Sequence, residues 1–215
     1  MLECYESQLN QITVKIDSYF AQQKDYIKCK QGCSICCSNS YYPSSELEYK
    51  YLKKGIELYY SKEDVELLHK KVFEIYKNVL EFKKNNSNIF EFSYVCPFLK
   101  DNKCSVYKYR PLVCRAHGLI IKDSSAKIAK EAKGSIPYCV NENLNYSNIW
   151  DDEKKLLSRE KVEALGLKVT PKVYDLSCSS LMNLFEGVTF GDTRIIYEWV
   201  IMDMPDYEEL MKLYQ

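Results

Sequence analysis

The sequence has few of the residues that build flexible or loop-dominated chains. Its 215 residues include only 7 glycines and 6 prolines, too few for a disordered protein. Hydrophobic residues make up 46% and charged residues 28%, as in ordinary globular proteins. We therefore expect a single domain over residues 1–215.

Long hydrophobic runs and an excess of one charge are also missing. No apolar stretch reaches the roughly 18 residues that a membrane-spanning helix needs. The first residues lack the basic and apolar regions of a signal peptide, which favours a cytoplasmic location. The 30 basic and 30 acidic residues cancel, so we expect neither a membrane nor a nucleic acid as partner. The sequence does not specify a substrate or a protein partner.

Histidine is scarce, with 2 residues, whereas cysteine occurs 10 times. The segment from Cys29 to Cys37 reads C-K-Q-G-C-S-I-C-C, and adjacent Cys36 and Cys37 cannot both face one core. Neighbouring thiolates repel each other unless a cation lies between them. In a reducing compartment, so many cysteines favour a metal over disulfides. The predicted metal ligands are Cys29, Cys33, Cys36, Cys37, Cys96, Cys104, Cys114 and Cys139.

The identity of the metal is left open by the spacing. Eight thiols could form two four-thiolate sites for zinc or for [4Fe–4S] clusters, or four could hold one cluster. We prefer an iron–sulfur cluster to zinc, because the paired C-x2-C units of zinc ribbons are missing. A non-catalytic binding or metal-storage module is the alternative to a redox or metal-dependent modifying enzyme.

Two cations lie on either side of one thiol in R-P-L-V-C-R. Arg110 and Arg115 are predicted to donate hydrogen bonds to a bound sulfur or to a substrate anion near Cys114. His117 follows in C-R-A-H-G, where Gly118 would let the backbone bend. It is either a further ligand or an ordinary loop histidine.

The first three cysteines also have the C-x3-C-x2-C spacing of radical-SAM enzymes. In those enzymes three thiolates hold a cluster, and Cys29, Cys33 and Cys36 would take that role here. The context differs, because a helix precedes the motif and no βαβ series follows it. We keep this class as a minor alternative.

Apolar periodicity predicts a mainly helical fold. Residues 2–27 carry one apolar stripe: Tyr5, Leu9, Ile12, Ile16 and Tyr19. A second helix runs from Ser45, in a capping box with Glu48, to about Tyr60. A third helix is predicted over 62–84, with Ser61 and Asp64 at its start. Its apolar stripe should pack against another helix, most simply the first one. The stripe consists of Val65, Leu68, Val72, Ile75, Val79 and Phe82.

The rest of the chain is less regular. Residues 89–141 are predicted to be rich in loops and to fold around metal, because their own apolar content is low. Within the single domain, a metal-binding segment over 29–139 is thus flanked by helical regions 1–28 and 140–215. Weaker helices are expected over 147–164, 173–186 and 205–214. A strand or an irregular insertion is expected over 187–199.

The cysteine motifs resemble a known family. C-x3-C-x2-C-C is followed by C-P-F-L, then C-x-V-Y-x2-R-P-x2-C-R and a later P-x-C, in the order of the YkgJ-type cysteine-cluster proteins. The resemblance covers residues 29–139. It implies a zinc- or iron-chelating domain, distantly related to flagellin lysine methylases.

Overall fold

The computed structural model describes residues 1–29, 32–39, 41–86, 92–122, 134–135, 138–140, 142–154, 156–172, 174 and 185–213. These residues are mainly helical, and their strands are two or three residues long. The helices are α1 (Leu2–Gln22), α2 (Ile35–Ser38), α3 (Glu46–Tyr59), α4 (Lys62–Asn85), α5 (Leu112–Ala116), α6 (Arg159–Ala164), α7 (Ile196–Met202) and α8 (Tyr207–Leu213).

Short antiparallel strand pairs connect these helices. The strands are β1 (Pro43–Ser45), β2 (Leu99–Lys100), β3 (Lys103–Cys104), β4 (Ile121–Lys122), β5 (Gly134–Ser135), β6 (Trp150–Asp151), β7 (Leu156–Leu157) and β8 (Thr193–Ile195). They pair as β1–β8, β2–β3, β4–β5 and β6–β7. Short 3₁₀ helices cover Tyr107–Tyr109 and Tyr138–Val140. Within the described ranges, no helix combines the length and the apolar character needed to cross a bilayer.

The chain forms two compact units. Unit 1 comprises Met1, Glu3–Cys36 and Arg115–Val188. Unit 2 comprises Leu2, Cys37–Cys114 and Thr189–Gln215. The mainly α fold agrees with the sequence, whereas the single domain and its folding around metal stay predictions.

Unit 1 combines a long helix with an aromatic core. The stripe of α1 buries Tyr5, Leu9, Ile12 and Ile16, as its spacing predicts. Beyond the helix, one apolar cluster comprises Tyr26, Ile120, Val140, Tyr146, Ile149 and Trp150. Burial of these side chains is the main driving force for folding this region. It lies directly beside Cys139, which is itself 4% exposed.

Unit 2 is built on α3 and α4, whose starts are fixed by two capping boxes. In α3 the Ser45 hydroxyl accepts the Glu48 N–H, while Glu48 Oε2 accepts the Ser45 N–H. Ser61 and Asp64 make the same reciprocal pair at the start of α4. Such a box satisfies N–H groups that a helix start otherwise leaves without a partner.

The apolar stripe of α4 packs on α7 within unit 2. Leu68, Val72, Ile75 and Val79 are buried, as predicted. Packing of this stripe against the first helix stays a prediction, since α1 lies largely in unit 1.

Two predictions of secondary structure need correction. Among the described residues of the predicted helix 147–164, only Arg159–Ala164 is helical. The preceding residues form the hairpin of β6 and β7, in whose turn the Lys154 N–H donates to Asp151 Oδ1 at 3.0 Å. Side-chain bonds of this kind compete with a helix. In the segment 187–199, predicted as a strand or an irregular insertion, the strand is limited to β8. Helix α7 begins directly after it at Ile196, and Glu198 Oε2 accepts the Ile195 N–H at 3.0 Å.

The remaining secondary-structure predictions concern residues 205–214, 173–186 and 89–141. The last predicted helix, 205–214, is present as Tyr207–Leu213. Most of the predicted helix 173–186 lies outside the described residues. The segment 89–141 has only short elements where it is described, as its sequence indicates.

Candidate metal centre

The eight predicted ligands divide equally between the two units. Unit 1 contains Cys29, Cys33, Cys36 and Cys139, and unit 2 contains Cys37, Cys96, Cys104 and Cys114. The boundary falls inside α2, between adjacent Cys36 and Cys37. All eight lie outside disulfide bonds, and so does exposed Cys4.

The four cysteines of unit 1 lie close enough to influence one another. Burial raises the pKa of Cys29 to about 12, and Cys33 adds to this through its charge and a hydrogen bond. The charges of Cys139 and Cys36 raise the same pKa further. Burial raises the pKa of Cys139 to about 11, with Cys36 and Cys33 adding to the shift. The fold therefore brings Cys139 to thiols that lie about a hundred residues earlier in the sequence.

Buried Asn145 bonds the backbone of Cys29 and the thiol of Cys139. Its Oδ1 accepts the N–H groups of Lys28 at 2.9 Å and Cys29 at 2.8 Å. Its own backbone N–H bonds to the thiol of Cys139, which lowers the pKa of that thiol. Its Nδ2 donates to the Gly118 carbonyl at 3.0 Å. The buried side chain of Asn145 thus fixes the backbone of Cys29, and its backbone N–H contacts Cys139.

Gly118 is required at this contact. A Cβ atom there would lie 2.9 Å from Asn145 Nδ2 and 3.3 Å from the Phe20 ring. Its φ of +113° is also one that side chains disfavour. The bend that the sequence predicts at C-R-A-H-G is therefore confirmed.

Unit 2 holds its cysteines through backbone bonds. The Cys96 N–H donates to the Cys37 carbonyl at 2.7 Å. Cys104 lies in β3 and pairs with Leu99 of β2. The turn residues Asp101 and Asn102 both have positive φ, as in the two-residue turns that suit tight hairpins.

This hairpin, residues 96–105, is anchored on the junction between α3 and α4. The Tyr60 hydroxyl hydrogen-bonds Ser105 Oγ, and Ser105 Oγ donates to the Phe98 carbonyl at 2.8 Å. Burial raises the pKa of Tyr60, the Ser105 bond lowers it, and the charges of Cys104 and Cys96 raise it. The thiols of Cys96 and Cys104 therefore lie near the Tyr60 hydroxyl.

Helix α3 also positions the segment that leads to Cys114. Glu48 caps α3 with one carboxylate oxygen, and its Oε1 accepts the Leu112 N–H of α5 at 2.9 Å. A Cβ atom on Gly55 would lie 2.7 Å from the Tyr109 ring, so this glycine permits close packing. Cys114 occupies the middle of α5, and its N–H donates to the Pro111 carbonyl at 3.1 Å.

The two arginines beside Cys114 belong to different units. Arg110 of unit 2 stacks on the Tyr107 ring, with its guanidinium carbon 3.7 Å from the ring centroid. Buried Arg115 of unit 1 donates to Thr13 Oγ1 of α1 at 3.1 Å. Their role in binding a cofactor stays a prediction. Half-buried His117 has its pKa lowered to about 4 by burial, which keeps the imidazole neutral near pH 7 and able to bind a metal.

The thiols are gathered but not yet in a coordinating arrangement. Among the residues that the structure describes, no three Cys, His, Asp or Glu side chains are placed to hold a metal ion. The chemistry of the donors nevertheless fits one, since four thiols per unit match the ligand sets of zinc and iron–sulfur clusters.

A buried hydroxyl in unit 1 supports this fit. Tyr146 is 0% exposed, and its hydroxyl has no hydrogen-bond partner among the described residues. Burial raises its pKa, with Tyr174, Cys139 and Tyr26 adding to the shift. A buried donor without a partner is costly, and a thiolate or sulfide within reach of this O–H would lower that cost.

Sequence reasoning missed Asn145, Tyr146 and Tyr60. Asn145 belongs to the polar run N-E-N-L-N, which has no motif that separates it from a surface loop. The two tyrosines are members of a set of 19 that packing alone explains. Their roles depend on contacts between residues distant in the chain.

Comparison with known proteins identifies the family alone. Residues 28–139, just over half of the chain, match the model of the CxxCxxCC family, described as "Putative zinc- or iron-chelating domain". No curated protein and no solved structure matches the chain. The matched segment contains all eight cysteines discussed above. The chain therefore belongs to the CxxCxxCC cysteine-cluster family.

Proposed function

We propose that this protein is a metalloprotein that binds an iron–sulfur cluster or zinc through its eight clustered cysteines. The observation that carries this proposal is the grouping of Cys29, Cys33, Cys36 and Cys139, all outside disulfide bonds, in unit 1. Packing does not require four cysteines at one place, whereas a thiophilic metal does. The metal would supply the positive charge that lets neighbouring thiols ionise together.

Iron–sulfur is favoured over zinc by the cysteine spacing, and a redox or modifying role follows from that preference. We also propose that the protein is of the YkgJ type and is distantly related to the flagellin lysine methylases. A modifying enzyme also needs a substrate site. The cavity between α4 and the hairpin 96–105 holds about 70 Å³, far below the several hundred Å³ usual for ligand sites.

The second candidate is a non-catalytic metal-stabilised module or a metal store, which the grouping of four cysteines within each unit supports. In such a protein every coordination position is closed by thiolate. The radical-SAM alternative, by contrast, requires an open iron beside Cys29, Cys33 and Cys36. The proximity of Cys139 to Cys33 and Cys36 favours closure of that position by a fourth thiolate.

Anaerobic purification followed by metal and sulfide analysis and an absorption spectrum tests the proposal. Iron with sulfide and a broad visible band supports the cluster, and zinc without sulfide supports the zinc form. The Cys4→Ser variant is the matched control, since exposed Cys4 lies outside the matched segment and its thiol donates to the Glu186 carbonyl at 3.9 Å. It should retain the full metal content. A wild-type chain that contains and acquires no metal would refute the proposed function.

A further inference from the structure

We propose that the eight cysteines form two separate four-thiol metal sites, one within each unit. The first site uses Cys29, Cys33, Cys36 and Cys139, and the second uses Cys37, Cys96, Cys104 and Cys114. This inference rests on the proposed function, because it assigns ligands that are metal ligands only if the protein binds metal. Neither the family description nor the cysteine spacing makes this assignment.

The partition of the chain is the first argument. The unit boundaries fall between Cys36 and Cys37 and between Cys114 and Arg115. Four cysteines lie on each side, although their order along the chain is interleaved. A four-thiolate set is the complete tetrahedral ligand set of a structural zinc ion and the usual one for a [4Fe–4S] cluster.

The geometry of α2 is the second argument. Cys36 and Cys37 are consecutive residues of this helix, so their side chains point roughly 100° apart around its axis. Consecutive helical residues do not face each other, which disfavours one shared tetrahedral metal. The same geometry suits two sites that each take one of the pair.

Contacts inside each unit are the third argument. In unit 1, Asn145 Oδ1 accepts the Cys29 N–H at 2.8 Å, and the N–H of adjacent Leu144 donates to the Cys139 carbonyl at 3.0 Å. Cys33 and Cys36 follow Cys29 closely in the same unit. In unit 2, the Cys96 N–H binds the Cys37 carbonyl, and Tyr60 lies near both Cys96 and Cys104. Cys114 is attached to the same scaffold through Leu112 and Glu48.

A fully thiolate-bound pair of sites has a consequence for function. With Cys139 as fourth ligand, the cluster beside Cys29 has no open position for a substrate. The first site then serves structure or electron transfer rather than substrate binding. The closed first site thus separates this protein from the radical-SAM class.

The total metal content of the wild-type chain tests the number of sites. Two sites predict two zinc ions per chain, or about eight iron and eight sulfide if both hold [4Fe–4S] clusters. Titration of the reduced, metal-free wild-type chain with Co²⁺, followed by thiolate-to-metal absorption, should saturate at two equivalents. Saturation at one equivalent, with one metal centre after purification, overturns the two-site assignment while the proposed function survives.

Double variants test the assignment of each cysteine. Cys36→Ser and Cys37→Ser should each lower the metal content to about half. Adding Cys139→Ser to Cys36→Ser should cause no further loss, because both act on the first site. Adding Cys139→Ser to Cys37→Ser should abolish binding. Complete loss in the Cys36→Ser/Cys139→Ser protein overturns the assignment, and Cys4→Ser serves as the control with unchanged content.

Folding of the variants is checked separately by far-ultraviolet circular dichroism. If a variant does not fold, Cys104→Ser replaces Cys37→Ser, and the wild-type Co²⁺ stoichiometry still decides the number of sites. A wild-type chain that binds no Co²⁺ and contains no metal refutes the proposed function itself. Failure of the two-site assignment is therefore distinguishable from failure of the proposed function.

Discussion

Units 1 and 2 hold four cysteines each, but they hold them by different means. In unit 2 the thiols are attached to a helical scaffold, since Glu48 of α3 binds α5 and Tyr60 binds the hairpin 96–105. In unit 1 Cys29 and Cys139 lie outside α-helices, and Asn145 connects the two. We infer that the unit 2 site is supported by secondary structure and that the unit 1 site depends on one buried side chain and on the metal.

Removal of the metal should have the largest effect and should expose this difference. Metal binding to a structural thiolate site contributes on the order of 10 kcal/mol to folding. We expect the melting temperature to fall by on the order of 10 °C or more when the metal is stripped under reducing conditions. Hydrogen exchange should accelerate more around Cys29 and Cys139 than in α3 and α4. Equal acceleration in both regions would contradict the comparison.

Replacement of Asn145 should affect unit 1 selectively. Asn145→Ala leaves the N–H groups of Lys28 and Cys29 and the Gly118 carbonyl without their partner. We expect a loss of about 2–4 kcal/mol in the free energy of unfolding, measured by urea denaturation. Metal content should fall by about half, with the unit 2 site retained. Exposed Glu142→Ala is the nearby control, and full metal content in Asn145→Ala would contradict the role of Asn145.

Acid should destabilise unit 1 through His117. Burial lowers the folded-state pKa of His117 from 6.5 to about 4, so the unfolded chain binds more protons between these values. The stabilisation is complete above pH 6.5 and is lost as the pH falls towards 4, at a cost of roughly 2–3 kcal/mol. Urea denaturation of the metal-free chain at several pH values measures this slope. His117→Gln should flatten it, and an unchanged slope would mean that other groups cause it.

The smallest effect is expected at the anchor of the unit 2 hairpin. Tyr60→Phe removes one hydrogen bond and should cost about 1 kcal/mol, whereas Ser105→Ala also removes the bond to the Phe98 carbonyl and should cost about 2 kcal/mol. The double variant should cost less than the sum, because both substitutions break the same interaction. Urea denaturation of all four proteins gives the coupling, and metal content should hardly change. Additive costs would show that the pair is not coupled.

The helices of unit 2 could be predicted because their signals are local. Ser45 with Glu48 and Ser61 with Asp64 fix two starts, and an apolar stripe marks the buried face of α4. The hairpin of β6 and β7 could not be predicted, because Asp151 ends a periodic pattern by bonding its own backbone turn. Helix α7 was missed because it is short and packs against a distant helix, α4.

The composition of the candidate site could be predicted, but its division could not. Eight cysteines in a characteristic order are visible in the sequence, and their family match agrees. Their grouping depends on which residues meet after folding, and Cys36 and Cys37 are neighbours in the chain but members of different units. Asn145 shows the same limit, since its side chain bonds Cys29, 116 residues away, and Gly118, 27 residues away.

Differential alkylation tests the central claim most directly. The anaerobically purified protein is treated with iodoacetamide before and after removal of its metal, and each cysteine is assigned by peptide mass spectrometry. We predict that Cys29, Cys33, Cys36, Cys37, Cys96, Cys104, Cys114 and Cys139 are protected before removal and modified afterwards, while exposed Cys4 is modified in both states. Modification of these eight at the rate of Cys4 in the purified protein would contradict their role as metal ligands.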